Sequence, residues 1–401
     1  MASTSSFDIQ YSSFDIPLKT LLALLLTTHI ATAGIQWKVH TVVPPKVSMI
    51  NSAVAHDWNE DGHLDILTSF DNKVVLLKGP DWKETVIDTI VQGRSRNKVR
   101  TGCMHSCLMD VDGDGDMDFV GSNSTVFWLE CPKNPFSEEP WTYRVVDDEI
   151  LGTHCLITGD VNQDGKLDLI ANSGRSKGTE FTEALTWQEV PQNPHTAKNW
   201  VRHVFAKPGD APRNSHYAGF GDVNMDGRPD IAYAAKGIGK PEKGGWFAWW
   251  EQPNDLSKPW KKHPLGDVED GATNILPADL NADGHTDFFA TRGHTAGVLW
   301  FKGPEFQQIE IDPEIPDPHS LALADLDGDG DLDAVTCSKD PDGFTAWYEN
   351  SGCGEFTRHI IGRNQGSYDT RTYDMDNDGD LDVLIAGHTS RNVVWFENPG
   401  K

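Results

Sequence analysis

The apolar positions of this chain come in short bursts with period two, not at the three-to-four spacing of an amphipathic helix. Leu167-Asp168-Leu169-Ile170-Ala171 and Leu381-Asp382-Val383-Leu384-Ile385 are typical, each followed by a hairpin. An aromatic-rich strand comes next and stops at Gly-Pro, Asn-Pro or a similar breaker, as in Val74 to Pro80, Val126 to Pro132 and Val298 to Pro304. A further strand opens on Trp82, Trp141, Trp200, Trp260, Phe306 or Phe356 and then alternates. With the short strand that enters each polar loop, the unit has four strands and recurs seven times without a helical period. This pattern predicts an all-β protein, a seven-bladed β-propeller. The stretch Trp37-Lys38-Val39-His40-Thr41-Val42 copies the outer strand, and the repeat ending at Val393 to Pro399 lacks one. The N-terminal strand is therefore predicted to close the last blade, leaving no open sheet edge.

Every unit carries one nine-residue polar loop with Asp or Asn at positions 1, 3, 5 and 9 and Gly at position 6. In the first three loops these are Asp57, Asn59, Asp61 and Asp65; Asp110, Asp112, Asp114 and Asp118; and Asp160, Asn162, Asp164 and Asp168. The next two have Asp222, Asn224, Asp226 and Asp230, then Asp279, Asn281, Asp283 and Asp287. The last two have Asp325, Asp327, Asp329 and Asp333, then Asp374, Asp376, Asp378 and Asp382. Oxygen side chains alternating around a glycine turn converge on one point, as a hard cation with six to eight ligands at about 2.3–2.6 Å requires. Structural Ca²⁺ at several sites is the expectation. Position 12 has no Glu (it is Thr68 in the first loop) and no helix follows, which excludes an EF-hand.

The formal net charge of −27 argues against nucleic-acid and anionic-membrane partners. Much of it sits in the seven loops, where cations would neutralise it. Residues 1–33 read as a signal peptide: Lys19 precedes an apolar run from Leu21 to Leu26, and Ala31-Thr32-Ala33 offers a cleavage site. The run is too short to span a bilayer. Residues 34–401 are then expected to form one secreted, extracellular, monomeric propeller. In that compartment Cys103, Cys107, Cys131, Cys155, Cys337 and Cys353 suggest one to three disulfides, and Asn123-Ser124-Thr125 is a glycosylation acceptor. Cys103 and Cys107 cannot pair, since four strand residues span about 13 Å.

If the acidic loops mark one end of the central channel, the residues that start each inner strand mark the other. Six positions before each loop stand Asn51, Met104, His154, His216, Thr273, His319 and Tyr368. In the second and fifth units the polar residue is displaced by one, to His105 and Asn274, which predicts a bulge or register change there. Imidazoles converging on one axis favour a ligand, or a divalent cation in the channel, because burying them without a shared partner is costly. Arg213 and Arg100 are the rim arginines nearest the histidines, Arg175 lies in the long loop of the third unit, and Trp246 follows Gly244-Gly245 where it could stack on a sugar face.

The run His319-Ser320-Leu321-Ala322-Leu323-Ala324-Asp325-Leu326-Asp327-Gly328-Asp329-Gly330 resembles the FG-GAP/VCBS repeat, and the likeness extends over about residues 35–401. Blades of this kind serve adhesion heads, lectins and lyases. The single-propeller form looks like secreted lyases acting on rhamnosyl-(α1→4)-glucuronate ends of arabinogalactans, and is similar to the propeller domain of aldos-2-ulose dehydratase. The resemblance implies an acidic glycan substrate and β-elimination beside a uronate. His105 or His154 would be base and acid, and Arg213 or Arg100 would neutralise the carboxylate. His216, His319, Asn274, Tyr368, Arg175 and Trp246 would bind substrate. A non-catalytic, calcium-dependent glycan-binding or adhesion propeller and a dehydratase or tailoring enzyme on a small sugar or metabolite are the competing readings. A hydrolase would draw its paired carboxylates from Asp369, Asp147, Asp148 and Asp270.

Overall fold

The computed structural model describes residues 36–90, 102–123, 125–174, 181–207, 209–240 and 242–400. The expected signal peptide, Arg100 and Arg175 lie outside the described residues. From Trp37 onward the chain forms one unit. Its twenty-eight strands make seven four-stranded antiparallel sheets, with no helix among the described residues.

The innermost strands are β2 (Ala53–His56), β6 (His105–Met109), β10 (Leu156–Gly159), β14 (Ser215–Gly221), β18 (Asn274–Ala278), β22 (Pro318–Ala324) and β26 (Asp369–Tyr373). They follow one another around the axis, and β26 meets β2 to close the ring. The second strands, such as Asp65–Phe70 and Asp333–Ser338, are buried along their whole length because each blade is sandwiched between two others. That is why they read as continuous apolar runs. Indoles of the third strands fill the space between blades; Trp128, Trp187 and Trp250 are fully buried.

The ring closes as the pattern predicts. Strand β1 (Lys38–Val43) pairs antiparallel with β28 (Val393–Glu397), setting Lys38 opposite Glu397 and His40 opposite Trp395. Trp37 is buried in the packing between the sixth and seventh blades.

Three expectations change. All six cysteines are free thiols, five of them buried. Cys103 and Cys131 pack between the first two blades, Cys107 and Cys155 face the channel, and Cys337 packs between the last two, so burial as small apolar groups accounts for these five, while Cys353 is exposed. Asn123 is buried with its amide donating to the Gly102 carbonyl at 2.9 Å, a poor position for a glycan. The inner-strand irregularities also fall elsewhere than predicted. They occur between Ser215 and Ala218 and between Pro318 and Ser320, while the second and fifth blades keep regular register. The extra residue breaks the alternation of side chains at His216 and His319.

Candidate functional site

The bulges bring His216 and His319 to the channel mouth on the side away from the acidic loops. Two further imidazoles arrive from hairpins between second and third strands: His294 between Thr291 and Ala296, and His388 between Ala386 and Val393. His216 Nε2 lies 3.0 Å from His294 Nε2. One ring nitrogen each from His216, His294 and His319 falls within 4.8 Å of the others. His319 is 0 % exposed, and neither of its ring nitrogens has a hydrogen-bond partner among the described residues.

Stacking holds these rings in place. His319, Tyr368 and His388 form a continuous stack, with centroids 3.8 Å and 3.5 Å apart and planes within 5°. His154 stacks on His216 at 4.3 Å. Asn274 donates to the His319 carbonyl at 2.6 Å and so fixes the backbone of the bulge. Tyr217 crosses the channel beneath the rings, its hydroxyl donating to the Tyr368 carbonyl at 2.7 Å.

Burial decides the protonation of the cluster. It pushes His294 down to about 2, aided by the Lys236 and Lys339 ammoniums, and His388 down to about 4. His319 is held well below its ordinary value by burial and by the neighbouring imidazoles. All three are neutral bases at neutral pH, the form in which imidazole ligates a metal or takes a proton. The tautomer of His388 follows from its partner. Asn51 gives its amide N–H to the Cys103 carbonyl at 3.0 Å and presents Oδ1 to His388 Nδ1 at 2.6 Å. Nδ1 therefore carries the proton, and Nε2 keeps its lone pair.

His105 lies below Tyr217 and lines a cavity of about 500 Å³ with Asn274, Tyr368, Asp369 and Arg371. Its Nδ1 accepts the Leu156 N–H at 3.2 Å, and burial lowers it to about 4. Arg213 is exposed at the rim, with its guanidinium on the Gly244 carbonyl at 3.0 Å. The Trp246 indole packs edge-on against Trp250, donates to the Pro212 carbonyl, and has the Lys262 ammonium 4.4 Å over its ring. It is thus part of the blade packing, and Lys262 occupies one face.

His294, His388 and Arg371 are the residues that strand counting overlooks. Gly293-His294-Thr295 and Gly387-His388-Thr389 repeat one tripeptide at equivalent hairpins, a signal visible in the sequence. Arg371 occupies a position that holds Val54, Cys107, Ile157, Gly219, Leu276 and Ala322 in the other inner strands.

At the opposite end, the ninth residue of each acidic loop is a buried structural hub. Its Oδ2 accepts the backbone N–H of the second loop residue in all seven, as in Asp333 with Leu326 at 3.0 Å. In Asp333 the other oxygen takes the Asn350 N–H at 2.7 Å, tying the loop to the end of the third strand. Replacing Asp333 by Ala strips partners from two backbone donors, and a loss of about 2–5 kcal/mol is expected. An unchanged urea midpoint would contradict this role. In the second, sixth and seventh loops, the carboxylates of positions 1, 3 and 9 also gather within 4.8 Å. This is the oxygen donor set of a hard cation.

Residues 222–290, 279–336 and 325–385 match the FG-GAP-like repeat. The match to FG-GAP-like repeats lies within residues 222–385. The propeller aligns with an Agrocybe aegerita lectin studied for specific recognition of non-reducing terminal N-acetylglucosamine, at 16 % identity and TM-score 0.51, over 86 % of this chain and 99 % of the lectin. The V. cholerae biofilm matrix protein Bap1 is similar over 91 % of each chain, at 11 % identity and TM-score 0.50. BBS1N, solved in complex with ARL6DN, aligns at 10 % identity and TM-score 0.57, over 90 % of this chain and 97 % of that one. At these identities the likeness is one of fold. No curated protein matches the sequence.

Proposed function

We propose that this propeller is a secreted carbohydrate lyase, working at the histidine mouth of its channel on a uronate-containing glycan of the rhamnosyl-glucuronate type. The observation that carries this reading is the convergence of His216, His294 and His319, with both nitrogens of the buried His319 left without a partner among the described residues. Three converging imidazoles form a donor set suited to a divalent transition metal rather than to Ca²⁺. Such an ion would neutralise the carboxylate beside the scissile bond. The exposed Arg213, held by Gly244, is less well placed for that task.

β-Elimination also needs a base for C5–H and a proton for the leaving O4. His388 Nε2 is an unprotonated nitrogen on a ring fixed by Asn51 and Tyr368, and serves as the base. The hydroxyl of Tyr368, whose ring is stacked between His319 and His388, is the proton donor. His154 braces His216 and positions it. His105 is separated from this mouth by Tyr217 and receives no role in the reaction. In the same proposal Ca²⁺ occupies the acidic loops, the three with Asp at position 3 binding first because they offer one more charge.

The test is ultraviolet absorbance of the unsaturated uronate formed from a panel of uronate glycans, with and without a chelator. A rise that the chelator abolishes supports the lyase. Retained glycan binding with no rise would replace it with a binding propeller.

A further inference from the structure

Below Tyr217 the channel is a chamber separate from the histidine mouth. It is lined by inner-strand residues and reaches down to Tyr373, immediately before the seventh acidic loop. Its volume of about 500 Å³ falls within the range of small-molecule sites. The walls are mostly apolar or neutral, with one charged pair, Arg371 and Asp369.

That pair is unevenly satisfied. Asp369 Oδ2 accepts from Ser52 Oγ at 2.8 Å, from the Ala53 N–H at 3.2 Å and from Arg371 Nε at 3.0 Å. Arg371 spends Nε on Asp369 and one Nη2 hydrogen on the Ser106 carbonyl at 2.6 Å. Its Nη1 group has no acceptor among the described residues, and the side chain keeps 22 % of its surface, in the wall of the cavity. A guanidinium with one edge bound and the other open is a fork for an oxyanion. His105, on the same wall, has its Nδ1 occupied as an acceptor and so carries its proton on Nε2, a second donor.

We propose that this lower chamber binds a small carboxylate-bearing solute through the open edge of Arg371. The contacts proposed here do not involve the metal or the base assigned to the mouth, and Tyr368 borders both sites.

The experiment measures binding of D-glucuronate, D-glucose and inorganic phosphate by calorimetry to the calcium-loaded full chain. It is done in the His319→Ala background, so that the upper site does not contribute. Glucuronate is expected to bind and glucose not. Arg371→Lys, which keeps the charge but loses the fork, should weaken glucuronate about tenfold, and Arg371→Met should abolish binding. If Arg371→Met leaves Asp369 unpaired and the protein unfolded, Arg371→Met with Asp369→Asn removes both charges together. Glucuronate binding that survives loss of Arg371, or its absence in the starting background, overturns the proposal. So does binding of phosphate alone.

Discussion

His319→Ala is expected to cost the protein one bound equivalent of transition metal and at least about a thousandfold in turnover of a uronate glycan, the loss of several kcal/mol of charge stabilisation. The ring is wholly buried, and among the described residues its neighbours His216 and His294 present nitrogens to the same point. Removing one of three ligands leaves a site too poor to hold the ion. Elemental analysis of extensively dialysed protein reads the result without reference to activity. His105→Ala is the contrast: its ring lies on the far side of Tyr217, so metal content should be unchanged. Wild-type metal content in His319→Ala, or metal loss in His105→Ala, would place the ion elsewhere or nowhere.

The second large effect is a reversal of pH dependence by calcium. In the ion-free loops, burial pushes Asp118, Asp168, Asp230 and Asp382 up to about 7, and Asp65 and Asp333 up to about 6. The unfolded chain titrates these groups near 4, so between about pH 4 and 7 the folded state binds more protons than the unfolded one. Stability then falls as pH rises, by about 1.4 kcal/mol per pH unit for each excess proton. The buried imidazoles of His105, His294, His319 and His388, which take up protons only on unfolding, oppose this below about pH 6.5, so with chelator present Tm should rise by only about 2–3 °C between pH 7.5 and 5.5. With saturating Ca²⁺ it should fall over the same interval, because protons and metal compete for the same oxygens. Each occupied site adds about 2.7 kcal/mol at a hundredfold excess over Kd, so chelation at pH 7.5 is expected to lower Tm strongly. Parallel pH profiles with and without Ca²⁺ would remove calcium from the loops.

Much of the architecture was legible because it rests on local pattern. The acidic loop, the apolar second strand and the aromatic third strand recur in register, and the missing last strand matches the spare first one. Site geometry was legible only in part. Counting back from each loop finds His154, His216, His319 and Tyr368, which do gather at one mouth. The same count cannot see that His294 and His388 come in from hairpins far along other blades. It also sends His105 to the mouth, although a regular strand turns that side chain inward below Tyr217.

What the sequence by itself determined is the repeat, the number of blades, the closing strand and the oxygen donors of the loops, all properties of residues close together in the chain. Only the tertiary structure decided which imidazoles share a point, that Tyr217 divides the channel, and that one edge of Arg371 is open. Those facts depend on where seven inner strands stand around one axis and on single-residue bulges in two of them. A bulge at His216 or His319 changes which way a side chain faces without altering the hydrophobic pattern that specifies the strand.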